Sequence, residues 1–285
     1  MAKKKQPILL EKRNGIGYIT FNRPEVLNAF RPGDYIVFDE LVNECDKDDK
    51  IRVIIVTGKG RAWSVGDDVN VAVPGPKRDE LLKGDPGTKL IFEQKFLDIR
   101  LSGYQIPTQK TCVTLLNSGK VSIAAVNGIC YISEYLYAMD FVIAADTATF
   151  GQGDVKIGIS PIGSSTQLAP RVLGRRRATE LILLAELISA QEAYRVGLVN
   201  KVVPLAELMP QAEAIARRVM NYSPSAIKLT KMLMTKAQDL PLKDGLELEQ
   251  LFSEISLTSG FYEAYAKKFF AAKKDQGKSN TMRSK

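Results

Sequence analysis

The first sixty residues alternate between apolar runs and short polar breaks, a pattern that predicts strands and one helix. Two apolar runs over residues 8–11 and 16–21 flank Asn14-Gly15, which is typical of a β-hairpin. From residue 34 to about residue 47 the apolar positions fall largely on one helical face. The short apolar run 53–57 then reads as a buried strand. Strand, helix and strand in this order predict a βαβ unit and therefore an α/β fold.

The stretch 121–162 combines dense apolar runs with two isolated acids. A β-branched run turns at Asn127-Gly128 and continues as a helix-length segment, 131–139; a second apolar strand, 140–145, leads into a Gly-punctuated loop. Glu134 stands alone among Tyr, Ile and Leu in the predicted helix, and Asp154 lies in the loop. A carboxylate buried without a partner is expensive, so such an acid is paired, protonated or functional. These two acids form the candidate site.

The remaining segments give less specific signals. The loop 61–71, RAWSVGDDVNV, either presents backbone N–H groups to a ligand or is a simple turn. Residues 74–119 are predicted to be irregular, with a helix over 88–101, and have the character of a lid or substrate-facing loop. A core-packed helix is expected over 175–187, a capping box at Ser189 to Glu192, and a helix from Ser223-Pro224 to residue 236. From residue 205 onward three helical segments and no strand are expected.

Composition narrows the possible chemistry mainly by what it lacks. The 285 residues contain no histidine, which excludes Ser-His-Asp and Cys-His triads and imidazole bases. Proton transfer must then fall to carboxylates, Tyr, Lys, Cys or bound water. The net charge of +8 suits an anionic partner, although solvated basic tails explain most of it and nucleic acid is not expected. Three widely spaced cysteines, no secretory signal and no membrane-length apolar run indicate a cytoplasmic protein.

Five strings carry a resemblance to a known family, in that family's order: ITFNRPEVLNAF, VIIVTGKGRAWSVGDDV, IAAVNGI, FVIAADTATFGQGDVKIGISP and ISAQEAYRVGLVNKVVP. With these strings the chain resembles the enoyl-CoA hydratase/isomerase (crotonase) superfamily. The resemblance implies an α/β fold with a crotonase-like spiral core of ββα units over residues 1–204, which holds the acyl-CoA site. It also implies a C-terminal α-helical oligomerisation region, 205–285, that caps the site and builds a homotrimer or a dimer of trimers.

The same resemblance implies roles for individual residues. Glu134 and Asp154 would be the two catalytic carboxylates, and the backbone N–H groups of Val65 and Tyr131 would hold the thioester oxygen. No metal and no cofactor are implied, apart from coenzyme A as part of the substrate thioester. The expected CoA-binding residues are Leu27, Ala29, Val65, Gly66, Asp67, Asp68, Val69, Lys267 and Lys268.

The implied activity is that of a lyase that adds water to, or removes it from, the C2–C3 double bond of an enoyl-CoA. Departures from the family pattern keep other reactions open: CYIS precedes Glu134 where the family is Gly-rich, Asp154 replaces a Glu, and Ser164-Ser165 replaces a Gly pair. The aromatics Tyr104, Tyr131, Tyr135 and Tyr137 suggest a bulky or cyclic acyl group. One alternative is a crotonase-type isomerase or a ring-cleaving C–C hydrolase, and another is a non-catalytic, RNA-associated protein.

Overall fold

The N-terminal hairpin and the βαβ unit both form in the computed structural model, which describes residues 6–72, 80, 83, 106–258, 260 and 262–270. Strands β1 (Ile8–Arg13) and β2 (Ile16–Phe21) pair antiparallel. Asn14 and Gly15 close the turn with φ angles of 53° and 77°. Helix α1 (Pro32–Lys47) returns the chain so that β3 (Val53–Gly58) pairs parallel to β2. Both predictions are confirmed.

A six-stranded sheet forms the centre of the fold, in the order β1-β2-β3-β5-β7-β10. Its further members are β5 (Val121–Val126), β7 (Phe141–Ala145) and β10 (Lys201–Val203), and every pairing beyond the hairpin is parallel. Strand β5 is buried at all six positions. Burial on both faces explains why its sequence is a continuous apolar run rather than an alternating one.

A second sheet of four short strands has the order β4-β6-β8-β9. Its strands are β4 (Ala62–Ser64), β6 (Ile129–Cys130), β8 (Thr149–Phe150) and β9 (Ile188–Ser189). Strands β4, β6 and β8 each follow a main-sheet strand directly, so a strand–strand–helix unit repeats along the chain. This repeat is the ββα core that the resemblance implies.

The helices and strands depart from the sequence predictions at several places. The helix predicted over 131–139 is only Glu134–Ala138, because Ile129 and Cys130 pair in the second sheet and Ile132 bridges Gln152. Residues 61–71 were expected to be a loop, yet residues 62–64 form β4 and bury Trp63 completely. The helix expected over 175–187 divides into an α-helical and a π-helical turn. Helix Pro107–Asn117 lies in a stretch for which no element was predicted, and the helix expected over 88–101 lies outside the described residues.

The helices after α1 have the following bounds: α2 (Val69–Ala72), α3 (Pro107–Asn117), α4 (Glu134–Ala138), α5 (Ser165–Leu173), α6 (Arg175–Thr179) with a π-turn (Glu180–Leu184), α7 (Ala190–Arg195), α8 (Leu208–Met220), α9 (Pro224–Lys236), α10 (Leu242–Thr258) and α11 (262–270). The Ser189 side chain caps α7 by accepting from the Glu192 N–H at 3.2 Å. The Glu192 carboxylate pairs with Arg195 at 2.6 Å instead of closing the predicted box.

The C-terminal helices pack on the strand core. Leu208, Ala212 and Ala216 of α8 are buried in the same apolar cluster as the main sheet. Helix α9 is attached through Lys231, whose buried ammonium lies 2.7 Å from the Asp140 carboxylate at the start of β7. The expected three helical segments are present, together with a fourth, α11. None of the helices within the described residues has the length and apolar character to cross a membrane.

Candidate active site

Two loops meet beside the ends of β2 and β4 and bring together most of the residues expected to bind CoA. Leu27 and Asn28 adopt left-handed backbone angles, φ 55° and 57°, which turn the chain sharply after β2. The Val65 N–H donates to the Leu27 carbonyl at 3.2 Å, and the Ser64 hydroxyl donates to the Asn28 carbonyl at 2.7 Å. Hydrogen bonds therefore hold segments 27–29 and 65–68 side by side. A binding site formed by both segments requires this arrangement.

The backbone donors expected to hold the thioester oxygen both contact backbone carbonyls in this structure. The Val65 N–H is bound by Leu27, and the Tyr131 N–H donates to the Ser64 carbonyl at 2.9 Å. Tyr131 also lies before α4 rather than at its start, because the chain pairs as strand β6 at that point. The role of these two N–H groups stays a prediction. Within the described residues the Asp67 N–H has no backbone acceptor, since the bridge to Phe30 is made by the backbone groups of Gly66 and Asp68.

Glu134 is the most perturbed acid of the site. It is the first residue of α4 and only 7% exposed, and its Oε2 has no hydrogen-bond partner within the described part of the chain. Burial raises the pKa of its carboxyl to about 8, and the nearby charges of Asp154 and Asp67 add to the rise. Gly163 allows this burial, because a Cβ there would lie 3.0 Å from Glu134 Oε1.

Asp154 opens a 3₁₀ turn, Asp154–Ile157, that ends at Gly158 in a left-handed conformation. The Gln152 side-chain amide donates to the Asp154 carboxylate at 2.5 Å and accepts from the Ser165 hydroxyl at 3.1 Å. Gln152 is 4% exposed, and its backbone bridges Ile132, which lies two positions before Glu134. The structure therefore brings Glu134 and Asp154 together, with Gln152 between them. Sequence reasoning missed Gln152, although its position in GQGD was a signal.

A third carboxyl, that of Asp67, faces the same region. The Tyr35 hydroxyl donates to Asp67 Oδ1 at 2.8 Å. Desolvation raises the pKa of the Asp67 carboxyl, the hydrogen bond from Tyr35 opposes the rise, and the charge of Asp154 adds to it. The residue as a whole is exposed while its carboxyl contacts a buried tyrosine, so it lines the rim of the site. Sequence reasoning gave Asp67 only a CoA-binding role and did not identify Tyr35.

The aromatic residues that suggested a bulky acyl group have different environments. Tyr135 and Tyr137 are 0% and 4% exposed and belong to the core, and Tyr135 packs edge-on against Phe38. The Tyr131 ring lies over Gly151 and Gly153, where added Cβ atoms would come within 3.2 and 3.4 Å of it. Tyr104 lies outside the described residues. Of the three that the structure describes, Tyr131 is the one that lies against the loop of the second acid.

The two lysines expected near the CoA phosphates lie on α11. Both are exposed, and Lys267 forms an ion pair with Glu263 at 3.7 Å. In the single chain they are not joined to the site loops by any contact within the described residues. The three cysteines are free and buried, and burial raises the pKa of the Cys45 thiol to about 11. Among the residues described, no cluster of three His, Cys, Asp or Glu side chains is suited to a metal ion.

Comparisons with known proteins identify the family. The Enoyl-CoA hydratase/isomerase family profile matches residues 11–268. The probable enoyl-CoA hydratase echA8 of Mycobacterium tuberculosis is 32% identical over 245 residues, 86% of this chain and 87% of that protein. The 1,2-epoxyphenylacetyl-CoA isomerase of Escherichia coli is 30% identical over 94% of this chain and 97% of its own length.

A solved structure agrees with the sequence relatives. The crystal structure of an enoyl-CoA hydratase subunit I from Geobacillus kaustophilus superposes with a TM-score of 0.77 at 28% identity, covering 94% of this chain and 96% of that one. The fold class that the resemblance implies, a crotonase-like α/β fold, is confirmed. On the profile match, the relatives and the superposition together, this chain belongs to the enoyl-CoA hydratase/isomerase family.

Proposed function

We propose that the protein is an enoyl-CoA hydratase-type lyase that uses Glu134 and Asp154 as its acid–base pair. The observation that carries the proposal is the buried Glu134 carboxyl, whose Oε2 has no partner within the described residues and whose pKa is raised to about 8. An acid that keeps its proton near neutral pH beside a second carboxylate is suited to general acid–base catalysis. Asp154 is less buried than Glu134, and its carboxyl accepts from the Gln152 amide at 2.5 Å.

The roles of the two acids follow from this difference. In the hydration direction Asp154 takes a proton from the water whose oxygen bonds to C3, and Glu134 gives its proton to C2. The proton on Asp154 then returns to Glu134, which restores the starting state and balances one water added per turnover.

The thioester oxygen needs hydrogen-bond donors while the enolate forms. The N–H groups of Val65 and Tyr131 serve in this role once they give up the carbonyls that they now contact at 3.2 and 2.9 Å. The Asp67 N–H is a further donor, because it has no backbone acceptor among the described residues. Loss of one such donor typically reduces the rate by about a hundredfold or more. Coenzyme A would lie along the joined loops 27–29 and 65–69, with Lys267 or Lys268 of an adjacent subunit at its phosphates.

We also propose a homotrimer or dimer of trimers in the cytoplasm. Helices α10 and α11 expose large apolar side chains, among them Leu246, Leu251, Phe269 and Phe270, which a subunit contact would cover. Light scattering coupled to size exclusion measures the assembly, and a monomer at micromolar concentration contradicts this proposal.

The decisive experiment uses crotonyl-CoA in ¹⁸O-labelled water, with loss of enoyl absorbance and mass spectrometry as readouts. A hydratase incorporates one labelled oxygen into the product, and Glu134→Gln abolishes this while the fold is kept. Retained turnover in Glu134→Gln contradicts the assignment of the acid.

Isomerisation is the second candidate, supported by the Escherichia coli isomerase relative and by Asp154, which is a methylene shorter than the Glu usual there. A shift of the double bond without label uptake identifies it.

A further inference from the structure

The two consecutive acids after Gly66 serve different purposes. Asp68 is 4% exposed, pairs with the Arg23 guanidinium at 3.0 Å and accepts from the Asn70 amide at 2.9 Å. These contacts give Asp68 a structural role, which joins the turn after β2 to the loop after β4. Asp67 is exposed and forms no ion pair within the described residues. Within the described residues Asp67 therefore lacks the ion pair that gives Asp68 its structural role.

The Asp67 carboxyl is fixed in place although it has no cationic partner among the described residues. The buried Tyr35 hydroxyl, in the first turns of α1, donates to Oδ1 at 2.8 Å, and the Tyr35 ring packs on Phe30 with centroids 4.9 Å apart. Phe30 also holds the backbone on both sides of Asp67. Its N–H donates to the Gly66 carbonyl at 2.8 Å, and its carbonyl accepts from the Asp68 N–H at 2.9 Å. Within the described part of the chain the Tyr35 hydroxyl is the hydrogen-bond partner of the Asp67 carboxyl and Oδ2 has none, while the residue as a whole is exposed.

This fixed carboxyl lies close to the acid–base pair. Gly66 packs against the side chain of Ile132, which lies two positions before Glu134, with 3.4 Å between Ile132 Cγ2 and the position of a Cβ on Gly66. The backbone of Ile132 in turn bridges that of Gln152, whose side-chain amide donates to Asp154, so Asp67, Asp154 and Glu134 border one region. Within the described part of the chain no Lys or Arg pairs with any of the three. The region therefore holds acidic side chains without a counter-charge, and among them Asp67 faces a ligand as an acceptor.

We propose that Asp67, held by Tyr35, selects the acyl group: it accepts a hydrogen bond from an acyl hydroxyl and repels acyl chains that end in a carboxylate. The inference rests on the proposed acyl-CoA function and adds a substrate class to it. A carboxylate that is already fixed loses little entropy when it accepts a donor, and hydrogen bonds to charged groups are stronger than neutral ones. A carboxylate brought next to acids without a counter-charge meets like-charge repulsion.

Three saturated four-carbon thioesters test the proposal because they differ only at the chain end: butyryl-CoA, 4-hydroxybutyryl-CoA and succinyl-CoA. Isothermal titration calorimetry on the full chain is expected to show 4-hydroxybutyryl-CoA binding about tenfold more tightly than butyryl-CoA. Succinyl-CoA is expected to bind most weakly. Asp67→Asn keeps the backbone N–H and the side-chain shape, so it is expected to shrink both affinity ratios, each taken relative to butyryl-CoA in the same variant, to about twofold.

Matched variants separate selection from a general effect on the fold. Tyr35→Phe removes the hydroxyl that holds Asp67 and is expected to reduce the hydroxyl preference in the same direction. Asp49→Asn and Tyr194→Phe remove an exposed carboxylate and an exposed hydroxyl elsewhere and are expected to leave all three affinities unchanged. Melting curves establish that each variant is folded before it is titrated.

The outcomes distinguish this proposal from the proposed reaction. Equal affinities of the wild type for the three thioesters, or an equal loss for all three in Asp67→Asn, overturn the selectivity assignment. The saturated thioesters cannot be hydrated, so a preference for the hydroxyl in a protein that does not hydrate crotonyl-CoA overturns the reaction and leaves the selectivity standing. If none of the three thioesters binds, both proposals fail.

Discussion

Replacing Glu134 by glutamine is expected to stabilise the protein while it removes the activity. The folded chain holds the Glu134 proton with a pKa of about 8, whereas the ordinary value is 4.5. Between these pH values the unfolded chain releases the proton and the folded chain keeps it. The free energy of unfolding therefore falls as pH rises from 4.5 to about 8 and is constant with respect to this group at higher pH. Glutamine is neutral at every pH and carries no such penalty.

The magnitude follows from the size of the pKa shift. Each pH unit between the two pKa values is worth about 1.4 kcal/mol, so the penalty at pH 7 is about 3 kcal/mol. At pH 5 it is below about 1 kcal/mol, because the unfolded carboxyl is then only partly ionised. We expect Glu134→Gln to exceed the wild type in free energy of unfolding by an amount that grows by about 3 kcal/mol from pH 5 to pH 8.

Urea titrations followed by circular dichroism, at pH 5 and pH 8 and one fixed subunit concentration, measure this difference. Glu207→Gln, which changes an exposed glutamate on the surface, serves as the control and is expected to show no pH-dependent gain. Hydration of crotonyl-CoA by Glu134→Gln is expected to fall at least about a hundredfold. A stability difference that does not change with pH refutes the argument, since it would mean that Glu134 ionises normally in the folded chain.

Three further substitutions test the surroundings of the acids and the attachment of the C-terminal helices. Gly163→Ala places a Cβ about 3.0 Å from Glu134 Oε1, so turnover is expected to fall about tenfold, and the melting temperature shows whether the variant is folded. Gly245→Ala is the control, because a Cβ on Gly245 would meet no other atom within contact distance. Gln152→Ala frees the Asp154 carboxylate and is expected to lower kcat about tenfold with little change in KM, measured by initial rates; an unchanged kcat removes Gln152 from the site. Lys231→Met leaves the Asp140 charge unpaired and is expected to lower the free energy of unfolding by about 3 kcal/mol in urea titrations, with activity per folded molecule intact.

The sequence predicted those features that depend on local pattern. The hairpin at Asn14-Gly15, the amphipathic helix after it and the buried parallel strands each have a period or a turn that can be read locally. The Ser189 half of the predicted capping box and the helix start at Pro224 form for the same reason. The isolated acid Glu134 was conspicuous because its neighbours are apolar, and the structure buries it as that pattern predicts.

The failures arise where tertiary pairing overrides local pattern. The apolar run 131–139 fits a helix, yet its first residues continue from strand β6 and meet Gln152, so the helix begins only at Glu134. The same pairing places the Tyr131 N–H, which was expected at a helix N-terminus, on the Ser64 carbonyl. The Tyr35–Asp67 contact joins residues that are 32 positions apart, and no local period indicates it. Such contacts can be found only once the fold is known.

The residues that depart from the family pattern fit against one another in the structure. This mutual fit favours a site with changed specificity or reaction over a site that has lost its function. In the CYIS segment, where the resemblance leads us to expect glycines, Tyr131 introduces a ring, and Gly151 and Gly153 provide the space for it because Cβ atoms there would crowd the ring at 3.2 and 3.4 Å. The shorter acid Asp154 is supported by the Gln152 amide, which the Ser165 hydroxyl holds in turn. A site that had lost its function would have no reason to keep Glu134 buried at a cost in stability of about 3 kcal/mol at pH 7.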